Sequence, residues 1–412
     1  MSSVPLRRNR EFLLLWSGQT VSELGSQISL VAYPLLVLAV TGSAAKAGIV
    51  GFARNVPVAA LALPAGLLAD RVNRRHLMVA ADGIRALALA SIPIAAALGR
   101  VPYGLIVLVA LIDGTGFVIT YVTERGVLRR LVAPDQLGHA VARNESRLFG
   151  AMLAGPPLGG ALFGLARTVP FLTDALSYGA STVTKLLIRS DFQEARDEEA
   201  LGGAREGLRW VWQRPFFRTC MLVFAGSNPI FLGLYLLIVV LAKGHGAPPA
   251  LIGLMLAVAA GGGLVGALLA PRLQHRLSAR AALLGESWLL VLSIPLLLVV
   301  RAPLLLGAIV AAAELITPVT NSIVVGFRVA LAPDRLQGRV QAASTLMSFS
   351  TGWLGPLAAG LLLQVAGQSA TVLVLTGWAL VVAGVATGSR AFRHPPRIDP
   401  RAASATAPAS AS

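Results

Sequence analysis

The sequence predicts an all-α integral membrane fold of twelve transmembrane helices in two six-helix repeats, and three observations carry that prediction. Of 412 residues only 13% are charged and 55% are hydrophobic, where a soluble domain carries about 25% charged residues. Apolar runs long enough to cross a hydrocarbon core of roughly 30 Å follow one another along nearly the whole chain. Short stretches also recur about half a chain apart.

The runs are continuously apolar, without the alternation of a barrel strand, so helices must satisfy the backbone inside the bilayer. The expected spans are 11–40, 45–69, 76–98, 102–125, 139–166 and 168–189, then 216–242, 248–271, 279–300, 302–327, 337–366 and 368–389. The first follows Arg7, Arg8 and Arg10, and its apolar stretch is too long for a signal peptide, so it is expected to stay as a span. Four parts follow: an N-terminal six-helix bundle over 1–189, a linker over 190–215, a C-terminal bundle over 216–390, and a tail over 391–412. The linker places Leu208, Val211 and Trp212 on one helical face, expected to lie along the inner membrane surface. The tail is rich in Pro, Ala and Ser without apolar periodicity and is expected to be disordered.

A net charge of +16 raises the question of nucleic acid, and the distribution of the charge answers it. With the N-terminus inside, 27 of the 35 Lys and Arg residues fall on inner loops, helix ends and tail, 5 on outer loops, and three within spans. That is the positive-inside rule. It predicts both termini in the cytoplasm, anionic inner-leaflet lipids as partners and no nucleic acid. A single cysteine, Cys220, excludes an internal disulfide, and no Cys/His cluster has metal-ligand spacing, so neither metal nor cofactor is expected. No phosphate-binding loop is present to drive transport by ATP, and no nucleophile with an oriented base stands out, so an enzyme is not expected.

The repeat is specific. GLLADRVNRR at 66–75 recurs as ALLAPRLQHR at 267–276, LVAPDQLGHA at 131–140 as LAPDRLQGRV at 331–340, and Gly155-Pro156 with Gly159-Gly160 answers to Gly355-Pro356 with Gly360. Parallel six-helix repeats of this kind can rock about a central site, giving alternating access.

These residues resemble the major facilitator superfamily, and within it the macrolide and siderophore exporter branch of the drug:proton antiporters, over about residues 5–390. Its G-x-L-a-D-R-x-G-R-K loop signature is met by Gly66, Leu68, Ala69, Asp70, Arg71, Arg74 and Arg75, with Asn73 in place of the loop glycine, where a left-handed backbone suits Asn. The resemblance implies that this acid and these bases hold the inner side shut. In the second copy Pro271 replaces the acid, so the latch is expected to be asymmetric. AMLAGPPLGGALFG is similar to the antiporter signature of drug exporters through Gly155, Pro156, Gly159 and Gly160. Small residues and prolines there also suit a bending helix at a seam between the halves. The run WSGQTVSELGSQISLVAYPLLVLAVTGSA and EGLRWVWQRP match the same branch, except that Ser26 stands where an acid is usual and Glu23 lies three residues earlier, on the same helical face.

The resemblance implies that spans 1, 4, 7 and 10 line a cavity, where Glu23, Asp113 and Glu314 fall near mid-depth and span 7 offers Asn228 and Tyr235. Ionisable groups at that depth are costly and usually functional. Glu23, with Asp113 or Glu314, is expected to take up a proton outside and release it inside, and Arg54 in span 2 to pair with Glu23. Solvated cavity walls and fixed ion pairs are the plainer readings of the same groups. Asp82 and Arg85 are expected to pair locally, Lys185 to reach toward the inner surface, and Glu286 to lie on a peripheral helix. Tyr33, Tyr121, Phe224, Phe231 and Tyr235 offer an aromatic lining or helix packing. The expected function is proton-coupled efflux of a small amphipathic compound such as a drug, macrolide-like product or siderophore, by a monomer in a bacterial inner membrane. The alternatives are a lipid or lysolipid flippase and a non-transporting receptor of the same fold.

Overall fold

The computed structural model describes residues 5–188, 200–333, 336–393 and 395–396, and is helical almost throughout, with no strand among them. The N-terminal bundle comprises α1 (Arg10–Thr41), α2 (Ala44–Arg71), α3 (Arg74–Ala97), α4 (Tyr103–Leu131), α5 (Leu137–Leu165) and α6 (Val169–Leu186). The linker contributes α7 (Ala200–Gln213). The C-terminal bundle comprises α8 (Pro215–Gly244), α9 (Pro249–Leu273), α10 (Ala279–Ser293), α11 (Pro303–Glu314), α12 (Thr317–Leu331), α13 (Gln337–Phe349), α14 (Leu354–Val365) and α15 (Gly367–Gly388), followed by the short α16 (Arg390–Arg393). Nine of the described helical stretches are long and apolar enough to cross a membrane by themselves. The disordered-tail expectation, His394 and most of 391–412, and the start of the linker lie outside the described residues.

Local chemistry sets the helix ends. The Asn9 and Ser43 side chains accept from the Phe12 and Lys46 amides at 3.1 and 3.2 Å, and Gly42, at φ 66°, closes α1 in the left-handed conformation that glycine adopts freely. Prolines start α6, α8, α9 and α11, where a missing N–H costs nothing. Asn73 corrects a sequence expectation: its φ is −55°, and its side chain caps α3 by accepting from the Arg75 and His76 amides at 2.9 and 3.4 Å. Asparagine serves there as a cap and not as a left-handed stand-in for glycine.

Three expected spans of the second bundle are interrupted. Span 9 continues past Ser293 as a 3₁₀ segment over Ile294–Leu298, which contains Pro295. Span 10 breaks between Glu314 and Thr317, ahead of Pro318, whose ring cannot donate to the preceding turn. Span 11 breaks over 350–353, where Thr351 Oγ1 donates to the Ala225 carbonyl at 2.5 Å and Trp353 Nε1 to that of Ser350 at 2.7 Å. The Ser350 carbonyl freed by this break thus finds a partner within the protein, as a low-dielectric surrounding demands, and the Thr351 bond ties the break to α8.

Within the bundles α1 packs on α5 and α6, α2 on α4, and α9 on α11, while the bundles meet along α5/α9 and α2/α14. Both seams use glycine for close backbone approach. A Cβ on Gly160 would collide with the Pro249 carbonyl and one on Gly253 with the Pro156 carbonyl; in the other seam Gly48 meets the Pro356 carbonyl and Gly360 that of Ala44. The repeat seen in the sequence is therefore a repeat of contacts. Outward-facing apolar side chains such as Leu87, Leu165, Val299 and Val365 are largely exposed, as a lipid-facing surface requires.

The linker helix departs from expectation. Trp210 and Val211 are buried and Gly207 lies against the Arg339 carbonyl of α13, whereas Leu208 and Trp212 are exposed. Leu208, Val211 and Trp212 therefore do not act as one membrane-facing stripe. A Glu206–Arg339 ion pair of 2.8 Å fastens α7 to α13.

Candidate functional site

A cavity of about 1510 Å³ lies between the bundles. One wall carries Gln27, Tyr33, Arg54, Phe117 and Tyr121; the other carries Asn228, Phe231, Tyr235, Glu314 and Trp353. Of the aromatic residues for which the sequence left lining and packing open, Tyr33, Tyr121, Phe231 and Tyr235 line the cavity, while Phe224 packs in the core. Leu208, Gly338 and Arg339 carry the lining to the end of the bundle where α7 sits, and among the described residues none of the loops at the opposite end takes part.

Asp113 is fully buried on α4 between two guanidinium groups. Arg54 Nε donates to its Oδ2 at 2.9 Å, and Arg85 donates to Oδ1 from Nε at 2.9 Å and Nη2 at 2.6 Å. The close approach is built by glycine: Gly114 lies against the Arg54 backbone and Gly116 against the Arg85 side chain. The Arg85 guanidinium also stands 3.9 Å from the centre of the Tyr178 ring, whose hydroxyl shares a 2.5 Å hydrogen bond with Ser26. Both oxygens of the buried carboxylate are thus engaged by charge-assisted hydrogen bonds, one guanidinium reaching it from the cavity wall and the other from the bundle interior.

Two pairings differ from those expected. Arg54 bonds Asp113, not Glu23, because α2 packs along α4; Glu23 instead accepts from Gln27 Nε2 at 3.0 Å. Asp82 and Arg85 do not pair locally. Asp82 joins Lys185 of α6 in a buried ion pair, and Arg85 turns to Asp113. Lys185 is correspondingly buried, with its ammonium group among neighbouring helices and not at a surface. The buried acid beside the Ser26 stretch of α1 is Asp174 of α6, which accepts from Ser29 Oγ at 2.6 Å and Ser177 Oγ at 3.3 Å. Its signal in the sequence was only that of a charge inside a span.

The acids of the second bundle have hydroxyl partners. Glu314, the last residue of α11, is hydrogen-bonded by Tyr235 and faces the cavity. Glu286 on α10 is buried away from it and accepts from Thr317 Oγ1 at 3.1 Å. Among the described residues neither has an ion-pair partner. Asn228 donates to the Ser348 carbonyl at 2.7 Å, tying α8 to the α13 break.

Gly66 lines the cavity near the α7 end, Arg71 is exposed in the last turn of α2, and the side chain of Asp70 lies outside the described residues. Arg75 donates from Nε to the Lys185 carbonyl at 3.1 Å and from Nη2 to that of Leu186, and Arg74 is buried. Gly155, Pro156, Gly159 and Gly160 form the close face of α5: Gly155 and Gly159 lie against Gln27 and Ile28 of α1, and Gly160 against α9.

Comparison with known proteins agrees with this architecture. The sequence profile described as Major Facilitator Superfamily matches residues 15–356. The multidrug efflux pump Tap of Mycobacterium tuberculosis (strain ATCC 25618 / H37Rv) is 29% identical over 406 residues, covering 94% of each chain. Macrolide efflux protein A of Streptococcus pyogenes is 24% identical over 221 residues, covering 52% of this chain and 54% of that one. Among solved structures, a bacterial homologue of the iron transporter ferroportin in an inward-facing state superposes with a TM-score of 0.71 at 20% identity, covering 93% and 99% of the two chains.

Proposed function

The chain belongs to the Major Facilitator Superfamily, and we propose that it is a secondary active exporter that exchanges protons for a small amphipathic compound. The observation that carries this reading is the cavity between the bundles, aromatic and apolar on most of its surface, with Glu314 as the one carboxyl among its described lining residues. The efflux activity named for the Tap and macrolide relatives supports the direction of transport. In this reading the α7 end faces the cytoplasm, as the positive-inside rule requires, and so do both termini. Anionic inner-leaflet lipids meet the basic loops, and Arg7, Arg8 and Arg10 cluster with Trp16 around a surface cleft suited to their headgroups. The chain works as a monomer, because both cavity walls come from one copy.

Glu314 is the proton carrier of this scheme. It reaches the cavity, its partner is the Tyr235 hydroxyl, and among the described residues no cation pairs with it. Asp113, clamped by Arg54 and Arg85, holds the N-terminal wall together. Glu23 reaches the cavity only through Gln27 and serves as an auxiliary acid. Arg71, Arg74 and Arg75, with Asp70 and Gly66, act at the cytoplasmic latch, and Gly155, Pro156, Gly159 and Gly160 let α5 slide at the seam.

Proton release from acidified everted vesicles tests this. A panel of macrolides, siderophores, lipophilic cations and lysolipids is added to wild type, Glu314→Gln and Glu23→Gln. A compound that dequenches the pH dye in wild type, weakly in Glu23→Gln and not in Glu314→Gln is the expected result. Unchanged coupling in Glu314→Gln removes that carboxyl from the mechanism, and silence in wild type across the panel removes the antiport reading itself.

A further inference from the structure

Glu286 has no place in the scheme above, yet its surroundings are built with care. It is buried on α10, outside the cavity, and Thr317 and Thr320 of α12 present hydroxyl groups to it. The helices packed on α10 are α11, α12, α15 and α16. Their ionisable side chains are Glu314, Arg328, Arg390 and Arg393, α10 itself adds Arg280, and α15 has none. None of these forms an ion pair with Glu286, and the one further titratable neighbour among the described residues is the Cys220 thiol of α8. A lone carboxylate at membrane depth is expensive, and a proton removes the expense.

The position of the hydrogen bond gives that proton a consequence. Thr317 is the first residue of α12, directly after the break that follows Glu314, and it lines the cavity. On its other side the break rests on α9, where Gly266 lies against the Leu315 carbonyl. The broken helix is therefore pinned on one flank by backbone packing and on the other by hydrogen bonds to α10, from Thr317 to Glu286 and from Thr320 Oγ1 to the Ala282 carbonyl at 3.3 Å, of which the Thr317 bond lies next to the break.

We propose that Glu286 is a second proton-binding site, outside the cavity, whose occupancy sets the pose of the α11/α12 break and thereby the position of Glu314. With its proton, Glu286 is neutral and the packing seen here is stable. Without it, the carboxylate must gain water or a new donor, and the lever within reach is the Thr317 end of α12. The link from this pose to transport rests on the exporter reading; the link from proton to pose does not.

Amide hydrogen exchange over 312–320 in lipid nanodiscs, corrected for the intrinsic pH dependence of exchange, reads the break directly and needs no substrate. In wild type, protection is expected to fall roughly tenfold between mildly acid and mildly alkaline pH, because the cost of burying the charged carboxylate outweighs its stronger hydrogen bond; a roughly tenfold preference of the closed break for protonated Glu286 gives that fall. Glu286→Gln is expected to hold the acid-pH protection at every pH, and Glu286→Asp to restore the dependence. Thr317→Val, which removes the donor but keeps the acid, is expected to lower protection at acid pH, and Glu314→Gln to leave the pH dependence intact. A Glu286→Gln protein with the wild-type pH profile, or a profile abolished only by Glu314→Gln, overturns the proposal. Absence of flux in the vesicle assay would leave this result standing, so the two readings fail separately.

Discussion

The two bundles repeat one another in helix order and seam, and differ in how they treat buried charge. In the first, Asp113 is held by Arg54 and Arg85, Asp82 by Lys185, and Glu124 by Arg147, across six helices without a break. Asp174 there is bonded by the hydroxyl groups of Ser29 and Ser177 instead. In the second, Glu286 and Glu314 have hydroxyl partners alone, and the helices are interrupted at 294–298, 315–316 and 350–353. Fixed ion pairs between helices resist relative motion, while an acid without a cation changes its charge by exchanging a proton. The contrast therefore divides labour between a charge-locked block and a jointed, proton-sensitive one.

The largest effect expected from that contrast is in Asp113→Asn. The substitution leaves Arg85 buried, and Arg54 at the cavity wall, without their shared counter-charge, and breaking a buried pair such as Arg85–Asp113 costs about 3–5 kcal/mol. Glu314→Gln removes no counter-charge and is expected to change stability by about 1 kcal/mol or less. Thermal unfolding in detergent compares them. If Asp113→Asn unfolds at the wild-type temperature, the first bundle is not locked by its charges and the contrast dissolves.

Hydropathy, charge placement and the internal repeat made the membrane class and the two bundles legible, because each depends on residue type and spacing alone. Pairing was harder. Arg85 lies three residues from Asp82, and helical periodicity favours that local pair, yet α3 meets α4 and α6 closely enough for both groups to find distant partners. Arg54 was matched to Glu23 by depth, and depth does not say which helix is adjacent. The breaks at 315–316 and 350–353 were invisible to hydropathy, since Pro318 and Gly352 sit inside runs apolar enough to read as single spans. Asn73 was legible as a turn residue but not as a cap, a choice set by where α3 begins.

A second test asks whether the difference lies in charge alone. Gly160→Val and Gly360→Val place side chains against the Pro249 and Ala44 carbonyls, one in each seam. Each is expected to cost about 1–3 kcal/mol by overpacking and to abolish flux. Gly164→Val, one turn further along α5, projects into open space and is expected to behave as wild type. Equal losses at Gly160 and Gly360 would sharpen the comparison, showing seams that match between halves whose charges do not. A loss confined to one of them would make the seam itself asymmetric.

The smallest effect concerns the helix that joins the halves. The Glu206–Arg339 pair is partly exposed, so its removal in Glu206→Gln is expected to cost only about 0.5 kcal/mol. Gly207, Trp210 and Val211 still hold α7 against the second bundle, and global unfolding should not register the change. Limited proteolysis of the linker should, because cleavage follows the population of locally opened α7; about a twofold faster cut is expected. A Glu206→Arg, Arg339→Glu exchange should return the rate toward wild type. If the single change instead accelerates cleavage more than tenfold, α7 is held to the jointed bundle mainly by charge, and the line between locked and movable parts of the molecule runs through the linker and not beside it.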